Sequence, residues 1–197
     1  MSASALSPKF LPGPQYIQDD VHLGYKFYNY PTELGLVSAG VLSVMFTVDA
    51  PVREVWPYFK DFNLWQNGYG YTYSGVVGDL EGRSFELDVG GKNNYKPATY
   101  EVLRVIPQCL MVFSETIPED GRTGGIRAGF HAFTLNEFAG KTVITYGGDH
   151  ATRTQGKSEE EVLAPWREFS VKMLPMWSET FIPTLKSLVR EGAGQKR

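Results

Sequence analysis

The stretch GFHAFTLNEFAGKTVITYGGDH, residues 129–150, alternates side chains as a β-hairpin does, and one of the slots that should face a packed interior holds His131. Imidazole has an unperturbed pKa of about 6.5, so an inward histidine beside a second protic group can take and give a proton near neutral pH. The returning strand supplies that group as Tyr146. If the chain turns tightly at Phe138 and Ala139, Leu135 pairs with Thr142, Phe133 with Ile144 and His131 with Tyr146, all on one face and with Cβ atoms about 5 Å apart. Two carboxylates stand in reserve. Glu115, in VFSET, either enters the interior or ends its strand; Asp88, in SFELDVG, alternates with Phe85 and Leu87 on the side of Glu86, the pattern of a solvated face. The plain alternative for His131 is an interior histidine fixed by a backbone carbonyl.

Other chemistries find less in the chain. His150 lies four residues beyond Tyr146, about 13 Å along a strand, too far for His131 and His150 to share a metal. The single cysteine, Cys109, offers no ligand cluster, so no metal and no cofactor are expected. Asp149 and His150, with Arg127 opposite, read either as a polar cluster at a cavity mouth or as a solvated strand end. The glycine-rich runs GGKNN (90–94) and GRTGG (121–125) do not join a strand to a helix start, as a phosphate loop does. No Gly-x-Ser-x-Gly elbow occurs. What remains is acid–base chemistry.

The bulk composition bounds the partners. With 197 residues, 42% of them apolar, the chain can bury the core of one domain. Nineteen Lys and Arg against 22 Asp and Glu leave no basic field to hold a phosphate backbone, so nucleic acid is not an expected partner. Cys109 cannot form an internal disulfide, and in the apolar run CLMVF it reads as a small buried hydrophobe. No basic n-region opens the chain and no apolar run approaches the ~18 residues of a membrane span; a soluble, cytoplasmic protein is expected. Aromatic residues make up 14% of the chain, enough either to fill a core or to line a pocket.

Along the chain, residues 1–36 contain four prolines and no sustained period, the pattern of an extended arm. YKFYNY (25–30) makes that arm sticky: it packs on the body, covers a pocket mouth or reaches a second subunit as a homodimer arm. VLSVMFTV then reads as a strand, followed by a short helix after Asp49 and Pro51, and a second in DFNLW. Six strand-like runs follow, from YTYSGVV to KTVITYGGDH, the spacing of an antiparallel meander. SEEE (158–161) is a capping-box signature, and Trp166, Phe169, Met173, Trp177, Phe181 and Leu185 continue from it at helical spacing. One long helix over about 158–190, interrupted at Pro165, Pro175 and Pro183, is expected. The divisions are thus an arm at 1–36, one domain at 37–192 and a disordered tail at 193–197.

Three segments resemble the helix-grip, START-like superfamily, also called SRPBCC, which includes the birch-pollen-allergen fold, polyketide cyclases and lipid-transfer domains. FTVDAPVREVWPYFKDFNLW (46–65) is similar to that family's first strand and paired helices, YEVLRVIPQCLMVFSE (100–115) to its central hairpin, and FTLNEFAGKTVITY (133–146) to a later hairpin. The resemblance spans about 41–190 and implies an α+β fold: a curved seven-stranded antiparallel sheet wrapped around a long C-terminal helix, with an internal cavity for an apolar or aromatic ligand. It also implies that His131 and Tyr146 look into that cavity. It implies no shared reaction.

Two functions stay open. The first is a cofactor-independent enzyme, of cyclase, aldol or retro-aldol C–C lyase, or dehydratase type, acting on an aromatic or polyketide-like small molecule. His131 would shuttle the proton, Tyr146 would be its hydrogen-bonding partner, and Glu115 or Asp88 would serve as further acids. The second is a non-catalytic carrier of a hydrophobic small molecule or lipid. Either would use an aromatic wall built from Trp65, Tyr71, Tyr73, Phe133, Ile144, Phe169, Met173, Trp177 and Phe181. Buried ionisable groups favour the enzyme and a wholly apolar cavity the carrier.

Overall fold

The alternating runs become the strands of one antiparallel sheet, in the order β1-β2-β3-β9-β8-β7-β6-β5-β4. The computed structural model describes residues 9–32, 35–66, 72–75, 81–82, 84–88, 98–120, 125–154 and 158–194. β3 (Gly35–Val48) leads into α1 (Val52–Phe59) and α2 (Phe62–Trp65); β4 (Thr72–Gly75) to β9 (Lys141–Thr154) then form the meander. The last strand returns to pair with β3 over thirteen residue pairs, from Leu36↔Thr154 to Val48↔Thr142. These seven strands are the expected ones.

Two further strands correct the seven-strand count. β1 (Lys9–Gln18) and β2 (Val21–Thr32) occupy the segment expected to be an arm, and β2 pairs with β3 from His22↔Met45 to Thr32↔Gly35. The expected 36/37 division therefore falls inside β3. Pro12 and Pro14 are tolerated because β1 is an edge strand, where a missing N–H costs no ladder bond. β2 buries Leu23, Tyr25, Phe27 and Asn29, a clean period of two. At the bulge between Pro12 and Gln15, a Cβ on Gly13 would stand 2.7 Å from Tyr25 Cβ, so only glycine lets β1 approach there.

Asp20, in the β1–β2 turn, fastens this hairpin to the rest. Its carboxylate accepts from the Thr47 backbone N–H at 3.0 Å, from the Thr47 hydroxyl, and from Lys186 Nζ at 2.8 Å. Burial alone would raise its pKa, but the hydrogen bonds from Lys186 and Thr47 and the Lys186 charge outweigh it and hold the group at about 2. A depressed carboxyl stabilises the fold above its unfolded pKa, and that contribution fades as pH falls from about 4 through 2. Because both side chains keep about a third of their exposure, Asp20→Asn should cost only about 1 kcal/mol in urea unfolding at pH 7. The gap should close by pH 2; an unchanged gap would mean that the ion pair contributes nothing.

The long helix is present as α3 (Glu159–Pro175), a π-helical turn (Met176–Phe181) and α4 (Ile182–Gly194). Ser158 and Glu161 form the expected capping box. The π turn lies between Pro175 and Pro183, neither of which can donate a backbone hydrogen bond; the Ile182 N–H reaches back five residues to Trp177. Residues 195–197, in the expected tail, lie outside the described residues. α1 begins after Pro51 without a side-chain cap; the Val52 N–H donates to Glu137, and Asp49 pairs instead with Lys141. Asp61 does cap α2, through the Asn63 N–H at 3.0 Å.

Candidate functional site

Four adjacent strands, β6 to β9, carry one polar chain across the buried face of the sheet. Tyr100 on β6 (Ala98–Ile106) stands opposite Glu115 on β7 (Leu110–Asp120) and donates to its Oε1 at 3.0 Å. The other oxygen, Oε2, lies 3.2 Å from His131 Nε2 on β8 (Gly125–Phe138), and His131 Nδ1 lies 2.5 Å from the Tyr146 hydroxyl on β9. His131 and Glu115 are each 3% exposed, Tyr100 7% and Tyr146 9%. An ionised carboxylate only accepts, so the network assigns the proton to Nε2 and leaves Nδ1 to accept from Tyr146.

The pairing differs from the expected one. The hairpin turns at Ala139 and Gly140, both at positive φ (51° and 76°), with Phe138 opposite Lys141. Leu135 therefore pairs with Ile144, Phe133 with Tyr146, and His131 with Gly148. The slip is two residues, which preserves the face and changes every partner. His131 and Tyr146 still meet because Tyr146 leans across Gly148: a Cβ there would lie 2.1 Å from the Tyr146 hydroxyl and 2.6 Å from His131 Nδ1.

Aromatic rings enclose the chain of polar groups. Phe113 stacks on His131 at 5.0 Å, Phe85 on Tyr100 at 4.9 Å, and Phe133 and Trp177 cover Tyr146 at 4.6 and 5.2 Å. In such surroundings charge is screened weakly and a satisfied hydrogen-bond network holds its geometry. Proton transfer from Tyr146 to His131 would leave an imidazolium facing Glu115 and a phenolate able to accept a proton from a bound molecule.

Of the four residues expected to do chemistry, the structure brings together His131, Tyr146 and Glu115. Asp88 lies on β5 (Ser84–Asp88) opposite Thr72, its side chain outside the described residues. Trp65 is fully buried and its indole N–H donates to the Phe59 carbonyl at 2.9 Å. Phe133, Ile144, Trp177 and Phe181 are buried on the inner side, and Met173 is partly buried against them. Tyr71 and the side chains of Tyr73, Phe169, Trp166, Arg127, Asp149 and His150 fall outside the described residues. Cys109, expected to be buried, is exposed where β6 turns into β7, because its N–H closes that turn onto Ile106.

Two polar residues went unread in the sequence. Tyr100, in ATYEVLRVI, shares its buried face with Val102, a parity that could have placed it. Asn29 is 4% exposed and, among the described residues, neither end of its amide has a hydrogen-bond partner; its signal was the alternation of LGYKFYN. A groove of about 510 Å³ opens on the other side of the sheet, lined by Ile17, His22, Lys26, Met45 and Thr145 among others. Among the described residues no group of three or more His, Cys, Asp or Glu could hold a metal, and no helix is long and apolar enough to cross a membrane.

No protein-family model matches the chain, and no curated protein matches it. Solved structures do. A Rhodobacter sphaeroides protein is 14% identical over 84% of this chain and 98% of its own, with a TM-score of 0.55. MLL2253 from Mesorhizobium loti is 15% identical over 77% and 97%, at 0.53. DynU16, described as a putative protein in the dynemicin biosynthetic locus, is 21% identical over 77% of this chain, at 0.47; the chain spans about half of its length. The first two likenesses speak to architecture, and with the meander closed by β3 and the long C-terminal helix they give the chain an α+β, helix-grip fold.

Proposed function

We propose that the protein is a cofactor-independent enzyme that carries out acid–base chemistry on an aromatic or polyketide-like small molecule held between the long helix and the sheet. The observation that supports this reading is the buried chain Tyr146–His131–Glu115–Tyr100, in which every ring nitrogen and carboxylate oxygen has a hydrogen-bonding partner. A carrier of apolar ligands has no use for an ionisable relay closed off in its interior, and burying one is costly unless its geometry serves a purpose. In the reaction, Tyr146 is the terminal acid or base, His131 stores the proton, and Glu115, steadied by Tyr100, stabilises the imidazolium. Cyclisation, aldol or retro-aldol cleavage and dehydration all need such a proton cycle.

The test begins with the molecule that travels with protein purified from its own source, identified by native mass spectrometry. Incubated with that molecule, the wild type should convert it, whereas Tyr146→Phe should retain the bound mass and lose turnover by about 10²-fold or more. A ligand recovered unchanged from the wild type would overturn the enzyme reading in favour of the carrier.

A further inference from the structure

Trp65 and Trp177 are neighbouring buried indoles, 6.0 Å apart between ring centroids, and they differ in one respect. The N–H of Trp65 is taken by the Phe59 carbonyl at 2.9 Å. The N–H of Trp177, on a residue only 3% exposed, has no hydrogen-bond partner among the described residues. Phe133, Tyr146 and Phe181 pack around its ring at 6.3, 5.2 and 5.5 Å. An unmet buried donor costs the fold free energy, so one in a native interior calls for an explanation.

The residue's backbone setting points the same way. Trp177 sits in the π-helical turn Met176–Phe181, and π turns within α-helices are frequent at functional sites. Its ring lies against Tyr146, the terminal group of the proton relay.

We propose that Trp177 is a substrate-binding residue whose indole N–H donates to a carbonyl oxygen of the ligand, so that the substrate is an aromatic carbonyl compound with an acidic hydrogen on the neighbouring carbon. Indole can only donate, which excludes a hydrocarbon or an ammonium group at this position and requires an acceptor. The role in turnover rests on the acid–base function proposed above. In that step the Tyr146 oxygen takes the proton from the carbon beside the carbonyl while its own proton passes to His131 Nδ1. The C–H electron pair forms the new C–C π bond, the carbonyl π pair moves to oxygen, and the growing negative charge meets the Trp177 N–H.

The experiment compares 2-acetylnaphthalene with 2-isopropenylnaphthalene, which has nearly the same shape but a methylene in place of oxygen. Water favours the ketone, so a preference for it inside the protein requires a donor there. The wild type should bind the ketone about 5–10-fold more tightly, the value of one hydrogen bond, and Trp177→Phe should abolish the preference. His131→Gln should retain it while losing exchange of the ketone's methyl protons in D₂O, so that failure of the relay and failure of the donor give different results. The wild type also carries its own readout should the variant not fold: with ¹⁵N-labelled indoles, the Trp177 N–H resonance should move downfield with the ketone and stay in place with the alkene. Equal affinity of the wild type for the two probes, an indole resonance unmoved by the ketone, or a Trp177→Phe protein that keeps the preference would each overturn the proposal.

Discussion

His131→Gln should fold, bind ligand and turn it over about 10²–10⁴ times more slowly than the wild type. The imidazole joins Glu115 to Tyr146 through its two nitrogens, and an amide can also donate to one and accept from the other. What an amide cannot do is hold a proton between two steps. His131→Ala is a different experiment: it leaves a carboxylate and a phenol short of partners beside a cavity under Phe113, and should cost about 3–5 kcal/mol, the range for breaking a buried pair. The glutamine variant therefore separates chemistry from structure. Thermal unfolding and turnover measured on both variants decide the matter, and wild-type turnover in a folded His131→Gln protein would remove the residue from the reaction.

Gly148→Ala should be nearly as damaging to turnover, although glycine has no functional group. The added methyl would stand 2.1 Å from the Tyr146 hydroxyl and 2.6 Å from both Tyr146 Cζ and His131 Nδ1, distances that no side-chain adjustment short of moving the phenol away can relieve. Overpacking of this kind costs roughly 1–3 kcal/mol, and the displaced ring breaks the relay at its substrate end, so turnover should fall to the level of Tyr146→Phe. Gly147 provides the control. It points to the opposite face, where an added Cβ meets nothing within 4 Å, and Gly147→Ala should leave stability within about 0.5 kcal/mol and turnover unchanged. If the two alanine variants behave alike, the close approach at Gly148 does not hold the relay together.

Alternation in GFHAFTL and KTVITYG groups His131, Phe133, Leu135, Thr142, Ile144 and Tyr146 on one face of the hairpin, the resemblance implied that this face looks inward, and all six are buried. The capping box at Ser158, the paired helices after Pro51 and the long closing helix were legible for the same reason: their signals are local, carried by residues three or four apart. The strand β1 was hidden by Pro12 and Pro14, whose effect depends on whether a strand lies at an edge, a property of the sheet and not of the strand.

The site itself needed the tertiary structure. Parity survives a two-residue slip, so the face of His131 could be read while its partner Gly148 could not; that choice belonged to a turn in which Ala139, an unfavoured residue at positive φ, had to follow Phe138. Glu115 was readable only as an acid near the end of an apolar strand. It became part of the relay because β6 sets Tyr100 opposite it and β8 brings His131 within reach on a diagonal, and contacts between strands are fixed by register and sheet order, which no local pattern encodes.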